Sequence, residues 1–167
     1  MGTRSNIGIL NENGTIKSIY CHWDGYLGYN GVMLHKFYNS KDKVTQLLEL
    51  GNISALKENI NPSTKSHSFD FPEENVTIAY SRDRGEPNNE AKTDTNVKDY
   101  RERLMDNWYD YAYLFDEKND KWLFLNILEL QYGDKLESEN FLDNFTSLEN
   151  ELNEISKNHP EDLLLEL

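Results

Sequence analysis

Two hairpin signals constrain the fold of this chain more than any other feature of its sequence. The first is the pair Asn13 and Gly14, which follows a short apolar segment and precedes the β-branched and aromatic segment 15–23. Asn-Gly is a frequent turn sequence between antiparallel strands, because both residues readily adopt positive φ. In the second signal, a polar segment separates the alternating residues 109–115 from the apolar residues 122–130. We therefore predict two β-hairpins, and we expect 122–130, apolar on both faces, to be central in the sheet.

Helix signals lie between and after these hairpins. Ser40 is a favourable N-cap for a helix that runs to about Leu50, and Gly51 can end it. A second helix is predicted to begin near Val97. The last helix is predicted over 138–156, because apolar residues recur there every three or four positions, the period of a buried helical face. The predicted core face of this last helix consists of Phe141, Phe145, Leu148, Leu152 and Ile155.

The order of these elements predicts the fold class. One further strand is expected at 76–82, between polar surface loops near 61–75 and 83–96. Hairpins without repeated strand–helix–strand units favour an α+β fold, with an antiparallel or mixed sheet of about five strands and helices mainly on one face. A chain of 167 residues has the usual length of one domain, so we predict a single acidic domain over 1–167.

The net charge of −13 is concentrated in the second half of the chain. Residues 1–98 contain 12 acidic and 11 basic side chains, whereas residues 99–167 contain 18 acidic and 6 basic ones. A surface of this sign repels phosphate backbones, so we expect no direct binding to nucleic acid. The expected partner is a basic host protein, such as a nucleic-acid-binding effector. The alternative is that the acidic residues only keep the protein soluble.

The sequence predicts a cytoplasmic protein, in its own cell or in a host cell. Cys21 is the only cysteine, so no internal disulfide can form, and no apolar run follows a basic N-terminal region. The longest apolar segment contains Asn126 and Glu129 and is far shorter than the roughly 20 residues that cross a bilayer. We therefore expect no interaction with a membrane.

The segment 20–26 combines a thiol, an imidazole, a carboxylate and three aromatic rings at the end of a predicted strand. Cys21 and His22 have the chemistry of a nucleophilic dyad. Neighbours in a regular strand point to opposite faces, so we expect Cys21 and Trp23 to lie in the core, and His22 to pair with Asp24 in a structural turn. Cys21, His22 and Asp24 are the candidates for any catalytic role, and we assign that role to none of them.

We predict neither a metal nor a cofactor. His22, Asp24 and His35 have suitable donor atoms, but they lack the compact spacing of zinc ligands. The acidic half lacks the glycine and the regular oxygen ligands of a calcium loop. The glycines within 25–31 are not followed by the Lys-Ser/Thr pair of a phosphate-binding P-loop.

Several motifs in the first third of the chain are distinctive. They are Gly2-Thr3-Arg4-Ser5, Ile7, the run from Ile19 through Cys21-His22-Trp23-Asp24-Gly25 to Tyr26, Asn30-Gly31, Lys43-Val44, Leu47 and Leu50-Gly51. On these residues, over roughly 1–56, the chain resembles a group of small uncharacterised proteins of bacteriophages and prophage-like elements. The resemblance implies a phage context and transfers no functional residue.

Small acidic accessory proteins of phages are often inhibitors of host nucleic-acid-binding machinery. We therefore predict a non-enzymatic inhibitor, of the anti-CRISPR or antirestriction kind, whose acidic surface mimics nucleic acid. The predicted partner-binding residues are Tyr26, Tyr29, Asp134, Glu137, Glu139, Asp143, Glu149, Glu151 and Glu154. One alternative is a small enzyme or nucleotide-binding protein with its pocket at 20–26. A further alternative is a structural or regulatory phage protein.

Overall fold

One mixed β-sheet runs through the residues that the computed structural model describes, which are 2–131 and 140–167. The strands of this part of the chain are β1 Ser5–Leu10, β2 Ile16–Cys21, β3 Ile53–Ala55, β4 Ile78–Ala79, β5 Lys92–Asp94, β6 Tyr111–Asp116, β7 Lys121–Asn126 and β8 Thr146–Ser147. Their order is β4-β3-β2-β1-β6-β7-β8, and β5 pairs with β2 beside this path. The α+β class is confirmed, but the sheet has about eight strands rather than five.

Six α-helices accompany the sheet within the same described ranges. They are α1 Val32–Phe37, α2 Lys41–Glu49, α3 Tyr80–Arg84, α4 Val97–Asp106, α5 Ile127–Gln131 and α6 Leu148–Asn158. A π-helical turn, Leu27–Gly31, precedes α1, and 3₁₀ turns lie at Phe141–Asn144 and Pro160–Asp162. Within 2–131 and 140–167, no helix combines the length and apolar character needed to cross a membrane.

The first predicted hairpin is confirmed. Strands β1 and β2 pair antiparallel, with Leu10 opposite Ile16 as the last pair before the turn. The amide of Gly14 donates a 2.9 Å hydrogen bond to the carbonyl of Asn11, and Gly14 has a φ of 87°. That positive φ explains why glycine follows Asn13 in this turn.

The second predicted hairpin is confirmed in its pairing but not in its position. Strands β6 and β7 pair antiparallel. The inner strand of the two is β6, which also pairs in parallel with β1, whereas the outer neighbour of β7 is the two-residue β8. The expectation that 122–130 is a central strand is therefore wrong. The apolar segment 122–130 is divided between two elements. Strand β7 ends at Asn126, and the following residues form α5.

Apolar layers cover both faces of the sheet. Tyr113 and Phe115 of β6 point into one layer, together with residues of α1, α2 and α6. Ala112 and Leu114 point into the other layer, together with residues of α4 and α5. Successive side chains of a strand alternate between faces, so a strand with this composition needs cover on both sides. The prediction of helices mainly on one face is thus too simple.

The last predicted helix is wrong in its first half. Within 140–158, the chain forms the 3₁₀ turn, then β8, and only then α6, whose N-cap is Ser147. Phe141 and Phe145 belong to the layer beside α4, whereas Leu148 and Leu152 belong to the opposite layer. The chain therefore crosses the sheet edge between these residues. Ile155, the last member of the predicted face, is only partly buried.

The strand predicted at 76–82 is shorter than expected. Only Ile78–Ala79 is extended in the sheet, and the chain then turns into α3. Gly85 ends this helix with a φ of 67°. The polar loop at 83–96 also contains β5, which pairs with the beginning of β2.

Candidate functional site

The amide side chain of Asn30 joins the motif at the start of β1 to the motif at the end of β2. This buried side chain donates to the hydroxyl of Ser5 at 3.1 Å, to the sulfur of Cys21 at 3.4 Å and to the carbonyl of Trp23 at 3.4 Å. Asn30 itself sits in the π-helical turn before α1. One residue therefore links the start of β1, the end of β2 and the first helical segment.

Glycines allow the same segments to approach each other closely. The amide of Gly25 donates to the carbonyl of Thr3 at 2.8 Å, and a Cβ atom on Gly25 would lie 2.7 Å from that carbonyl oxygen. A Cβ atom on Gly2 would lie 2.5 Å from the carbonyl oxygen of His22. These distances exclude larger residues without backbone movement. The motif residues at 2–5, 21–25 and Asn30 thus pack together where β1 begins and β2 ends.

Cys21 lies in the core, as expected from strand alternation. It is fully buried, and its thiol donates to the carbonyl of Trp23 at 3.5 Å. Burial raises the pKa of Cys21 to about 11, against an ordinary value of 9.0. Thiolate is the nucleophilic form of cysteine, so burial leaves this side chain poorly suited to nucleophilic chemistry near neutral pH.

His22 does not pair with Asp24. Its Nδ1 atom lies 2.5 Å from the hydroxyl oxygen of Tyr20, while Asp24 accepts a 3.3 Å hydrogen bond from Tyr26. Asp24 has a φ of 56°, so the regular alternation of the strand ends before it. Strand β2 itself ends at Cys21, so its alternation does not reach Trp23, which is 44 % exposed rather than in the core. Burial and the nearby charge of Arg4 lower the pKa of His22.

The two predicted aromatic contact residues, Tyr26 and Tyr29, are each partly buried. The hydroxyl of Tyr29 donates to the carbonyl of Leu56 at 3.2 Å and accepts from the ammonium of Lys57 at 3.1 Å. Tyr29 is therefore fixed against the body of the protein. Among the described residues, the hydroxyl of Tyr26 donates to Asp24, and burial raises the pKa of this hydroxyl.

The predicted acidic residues do not lie along one helix. Asp143 is exposed on the 3₁₀ turn, and Glu149 and Glu154 are exposed on α6, while Glu151 is partly buried. Three others, Asp134, Glu137 and Glu139, lie outside the described residues. The C-terminal segment adds three exposed carboxylates, those of Glu161, Asp162 and Glu166. We call the exposed carboxylates of α6 and this segment the acidic surface.

A cavity of about 270 Å³ opens where β1 and β6 begin and β2 ends. Its lining consists of Arg4, Ser18, Tyr20, Asn52, Lys92, Arg103, Asn107, Trp108 and Tyr109. Three of these side chains are cationic and none is a carboxylate. We call it the basic cavity. Sequence reasoning missed it, because its residues come from separate segments that only the sheet and α4 bring together.

Arg103 is held firmly in the wall of the basic cavity. Its guanidinium makes hydrogen bonds of 2.6–3.2 Å with the carboxylate of Asp94 and one of 2.6 Å with the hydroxyl of Ser18. Burial works against the charged form, but the bonds and charge of Asp94 outweigh it and raise the pKa of Arg103. This cation is therefore both oriented and partly neutralised.

The guanidinium of Arg4 is less completely hydrogen-bonded than that of Arg103. Its Nε atom is buried and has no hydrogen-bond partner among the described residues. The backbone amide of Arg4 donates to Asp110 at 3.0 Å, which fixes the main chain but not the guanidinium. Burial raises the pKa of the adjacent Tyr20 hydroxyl, and the positive charge of Arg4 opposes that rise.

Comparison with known proteins finds no matching family model, no matching curated protein and no matching solved structure. Two regions of the molecule have the charge and shape of a binding site: the acidic surface and the basic cavity.

Proposed function

We propose that this protein is a phage-type accessory protein that inhibits a basic, nucleic-acid-binding defence protein of the host without catalysing a reaction. In this proposal the acidic surface occupies the partner's nucleic-acid channel, as an anti-CRISPR or antirestriction protein would. The phage context comes from the sequence resemblance over roughly 1–56, and the inhibitory mode from the charge distribution.

The observation that carries the proposal is the lack of side-chain ion pairs with Lys or Arg on the described part of the acidic surface, although Lys157 lies on α6 and Lys36 donates to the backbone carbonyl of Glu166. Among the described residues, no Lys or Arg side chain forms an ion pair with the carboxylates of α6 or of the C-terminal segment. Within 2–131 and 140–167, the ion-pair partner found on this surface is His159, whose Nδ1 atom lies 3.4 Å from Glu161 and which is itself exposed. Exposed carboxylates without a Lys or Arg partner contribute little to folding and leave their negative field available to a binding partner.

Charge complementarity of this kind mainly determines which partner is bound and how fast the two proteins associate. A basic channel that normally holds nucleic acid attracts an acidic protein over about one Debye length, roughly 10 Å at 0.1 M salt. The same field repels nucleic acid from the acidic surface, so competition rather than co-binding is expected.

The carboxylates of α6 are too sparse to imitate a regular row of phosphates. The outward side of α6 carries Asn150, Asn153 and Lys157 between its acids. The acidic surface is therefore an irregular set of charges, not a continuous stripe. Affinity then requires apolar contacts as well, and Tyr26 is the predicted residue whose ring is least tied to the rest of the protein.

The test is a capture experiment with two variants of equal charge. In the first variant four acids of the acidic surface become Gln, namely Glu149, Glu154, Glu161 and Glu166. In the matched control four exposed acids elsewhere become Gln, namely Glu49, Glu58, Glu90 and Glu102. Both variants lose the same net charge, so only the position of the charge differs.

We expect the wild type and the control to capture basic nucleic-acid-binding proteins from host lysate. Added DNA should compete with this capture, and rising salt should weaken it. The variant of the acidic surface should capture them at least tenfold less, chiefly through slower association. Equal capture by the two variants would contradict the proposal and favour a structural or regulatory protein whose acidity serves only solubility.

A further inference from the structure

We propose that the basic cavity binds a mononucleotide, with the phosphate held by its cations and the base stacked on Trp108. This site is separate from the acidic surface. It is carried by three observations: the composition of the lining, the unpaired atom of Arg4 and the exposure of Trp108.

The lining concentrates positive charge in a chain that is strongly acidic. Arg4, Lys92 and Arg103 all face the basic cavity, while the net charge of the whole chain is −13. Asp94 neutralises part of the charge of Arg103, and no carboxylate side chain is paired with Arg4 or Lys92 among the described residues. Guanidinium and ammonium groups converging on one cavity are the donors that bind phosphate oxygens.

The buried Nε atom of Arg4 lacks the hydrogen bond that such a donor needs. A buried donor without a partner costs free energy, and natural proteins rarely keep one. Because this Nε atom has almost no accessible surface, a phosphate oxygen in the basic cavity accepts from it only after the guanidinium shifts toward the cavity. The backbone bond between Arg4 and Asp110 would remain in place, since it does not involve the guanidinium.

Trp108 provides a surface for an aromatic ring. It lies just beyond Asn107, the C-cap of α4, is 85 % exposed, and lines both the basic cavity and a neighbouring cavity of about 410 Å³. Tyr20 and Tyr109, whose ring centres are 6.0 Å apart, line the same basic cavity. Any of the nucleobases stacks favourably on such rings.

The net charge favours a mononucleotide over a nucleic-acid strand. A strand would extend beyond the basic cavity and be repelled by the rest of an acidic protein. A mononucleotide places its charge only where the three cations lie. The volume of about 270 Å³ lies just below the roughly 300–1,000 Å³ of typical ligand pockets, so the base of a mononucleotide must extend past Trp108 along the neighbouring cavity, which shares Arg4, Trp108 and Tyr109 with the basic cavity.

Calorimetric titration of the full-length protein tests the proposal. The probes are adenosine, guanosine, cytidine and uridine 5′-monophosphates, the corresponding nucleosides, inorganic phosphate and a short single-stranded oligonucleotide. We expect at least one monophosphate to bind at least tenfold more tightly than its nucleoside, inorganic phosphate or the oligonucleotide. No binding of any monophosphate at millimolar concentration would overturn the proposal. Phosphate binding as tightly as the monophosphates, or tighter binding of the oligonucleotide, would also overturn it.

Two pairs of variants locate the site. Trp108→Ala and Lys92→Gln should each weaken binding, the first by roughly tenfold as expected for loss of stacking. Phe71→Ala removes another highly exposed ring, and Lys118→Gln removes a cation from the turn at the opposite end of the sheet. Both controls should bind like wild type. Equal effects in variants and controls would contradict the assignment.

Arg4→Gln tests the phosphate contact, with the melting temperature as the measure of folding. It should weaken monophosphate binding by tenfold or more and leave nucleoside binding unchanged. An equal loss for both probes would overturn the role of Arg4. The four-acid variant of the acidic surface should still bind mononucleotide normally, so failure of the proposed inhibitory function and failure of this site are separable.

Discussion

Tyr100 of α4 donates a 2.9 Å hydrogen bond from its buried hydroxyl to the amide oxygen of Asn6 in the central strand β1. The amide nitrogen of Asn6 in turn donates to Ser18 at 3.1 Å, and Ser18 accepts from Arg103 at 2.6 Å. A continuous polar network therefore runs through the layer beneath α4 to the wall of the basic cavity. Asp94 completes it by accepting from Arg103.

Replacing Tyr100 by Phe should destabilise the protein by about 1–3 kcal/mol, because the amide oxygen of Asn6 would remain buried without its donor. Urea unfolding measures this change as a shift in midpoint. Tyr111→Phe is the matched control, since its hydroxyl makes no hydrogen bond to a described residue and it is only partly buried. The control should change the free energy of unfolding by less than about 0.5 kcal/mol. A neutral Tyr100→Phe variant would show that the network is not needed for stability.

Alkaline pH should destabilise the protein through Cys21. The pKa of this thiol is about 11 in the folded protein and 9.0 ordinarily, so the folded state keeps a proton that the unfolded state loses. The stabilisation is fully present below pH 9 and is lost as pH rises through 11. The free energy of unfolding should fall by up to about 1.4 kcal/mol per pH unit within this window.

The contribution of Cys21 is measured by comparison with Cys21→Ala. Tyr38 also has a raised pKa, about 12 in place of 10.0, because it is buried. It should add to alkaline destabilisation in both proteins. The slope of stability against pH between 9 and 11 should be smaller in the alanine variant. Identical slopes would mean that the thiol ionises equally easily in the folded and unfolded states.

The long elements of the fold were predictable from the sequence, and the short ones were not. Both hairpins have turn residues and strand patterns that act locally. The strands β3, β4, β5 and β8 have two or three residues each, and that length is too short to carry a period. The spacing of Phe141 and Phe145 from Leu148 fits a helix, but these residues pack on opposite faces of the sheet. Tertiary packing decided their structure.

The basic cavity could not have been predicted, because it depends on tertiary contacts. Arg4 and Tyr20 belong to recognisable motifs, yet nothing in their spacing indicates that they meet Arg103 and Trp108. The parallel pairing of β1 with β6 causes this meeting, since it brings the N-terminal segment beside the residues that follow α4. Parallel pairing between segments that are distant along the chain has no local signature in the sequence.

Asp83 should hold the loop at 61–75 in place. Its carboxylate accepts from the amide of Ala79 at 2.7 Å and from the guanidinium of Arg82 at 2.7 Å, and it lies 3.1 Å from Nε2 of His67. Asp83→Asn should therefore cost about 2 kcal/mol near neutral pH. It should also speed proteolysis within the loop, because a neutral amide has one acceptor oxygen in place of two and attracts His67 less strongly than the carboxylate does. Glu86→Gln breaks only an exposed pair and should leave both measurements nearly unchanged.

The effect of Asp83→Asn should depend on pH. Burial raises the pKa of Asp83, but hydrogen bonds from Arg82, Ala79 and His67 outweigh burial and hold it below the ordinary 3.8. The stabilisation is therefore present above pH 3.8 and is lost as pH falls through the lower, folded-state pKa. Unfolding experiments from pH 7 to pH 3 should show the difference between wild type and variant shrinking. A constant difference would contradict the charged role of Asp83.

Asn30→Asp should be among the most destabilising single substitutions in the first third of the chain. It removes the amide donor that reaches Ser5, Cys21 and the carbonyl of Trp23, and it places a buried carboxylate beside that carbonyl. We expect a loss of about 3 kcal/mol or more at pH 7, partly recovered as pH falls and the carboxylate is protonated. Asn153→Asp, which adds the same charge at an exposed position of α6, should change stability by less than about 0.5 kcal/mol. Chemical unfolding at pH 7 and pH 5 measures both variants. Equal stabilities for the two would show that Asn30 is not the link between the motif segments.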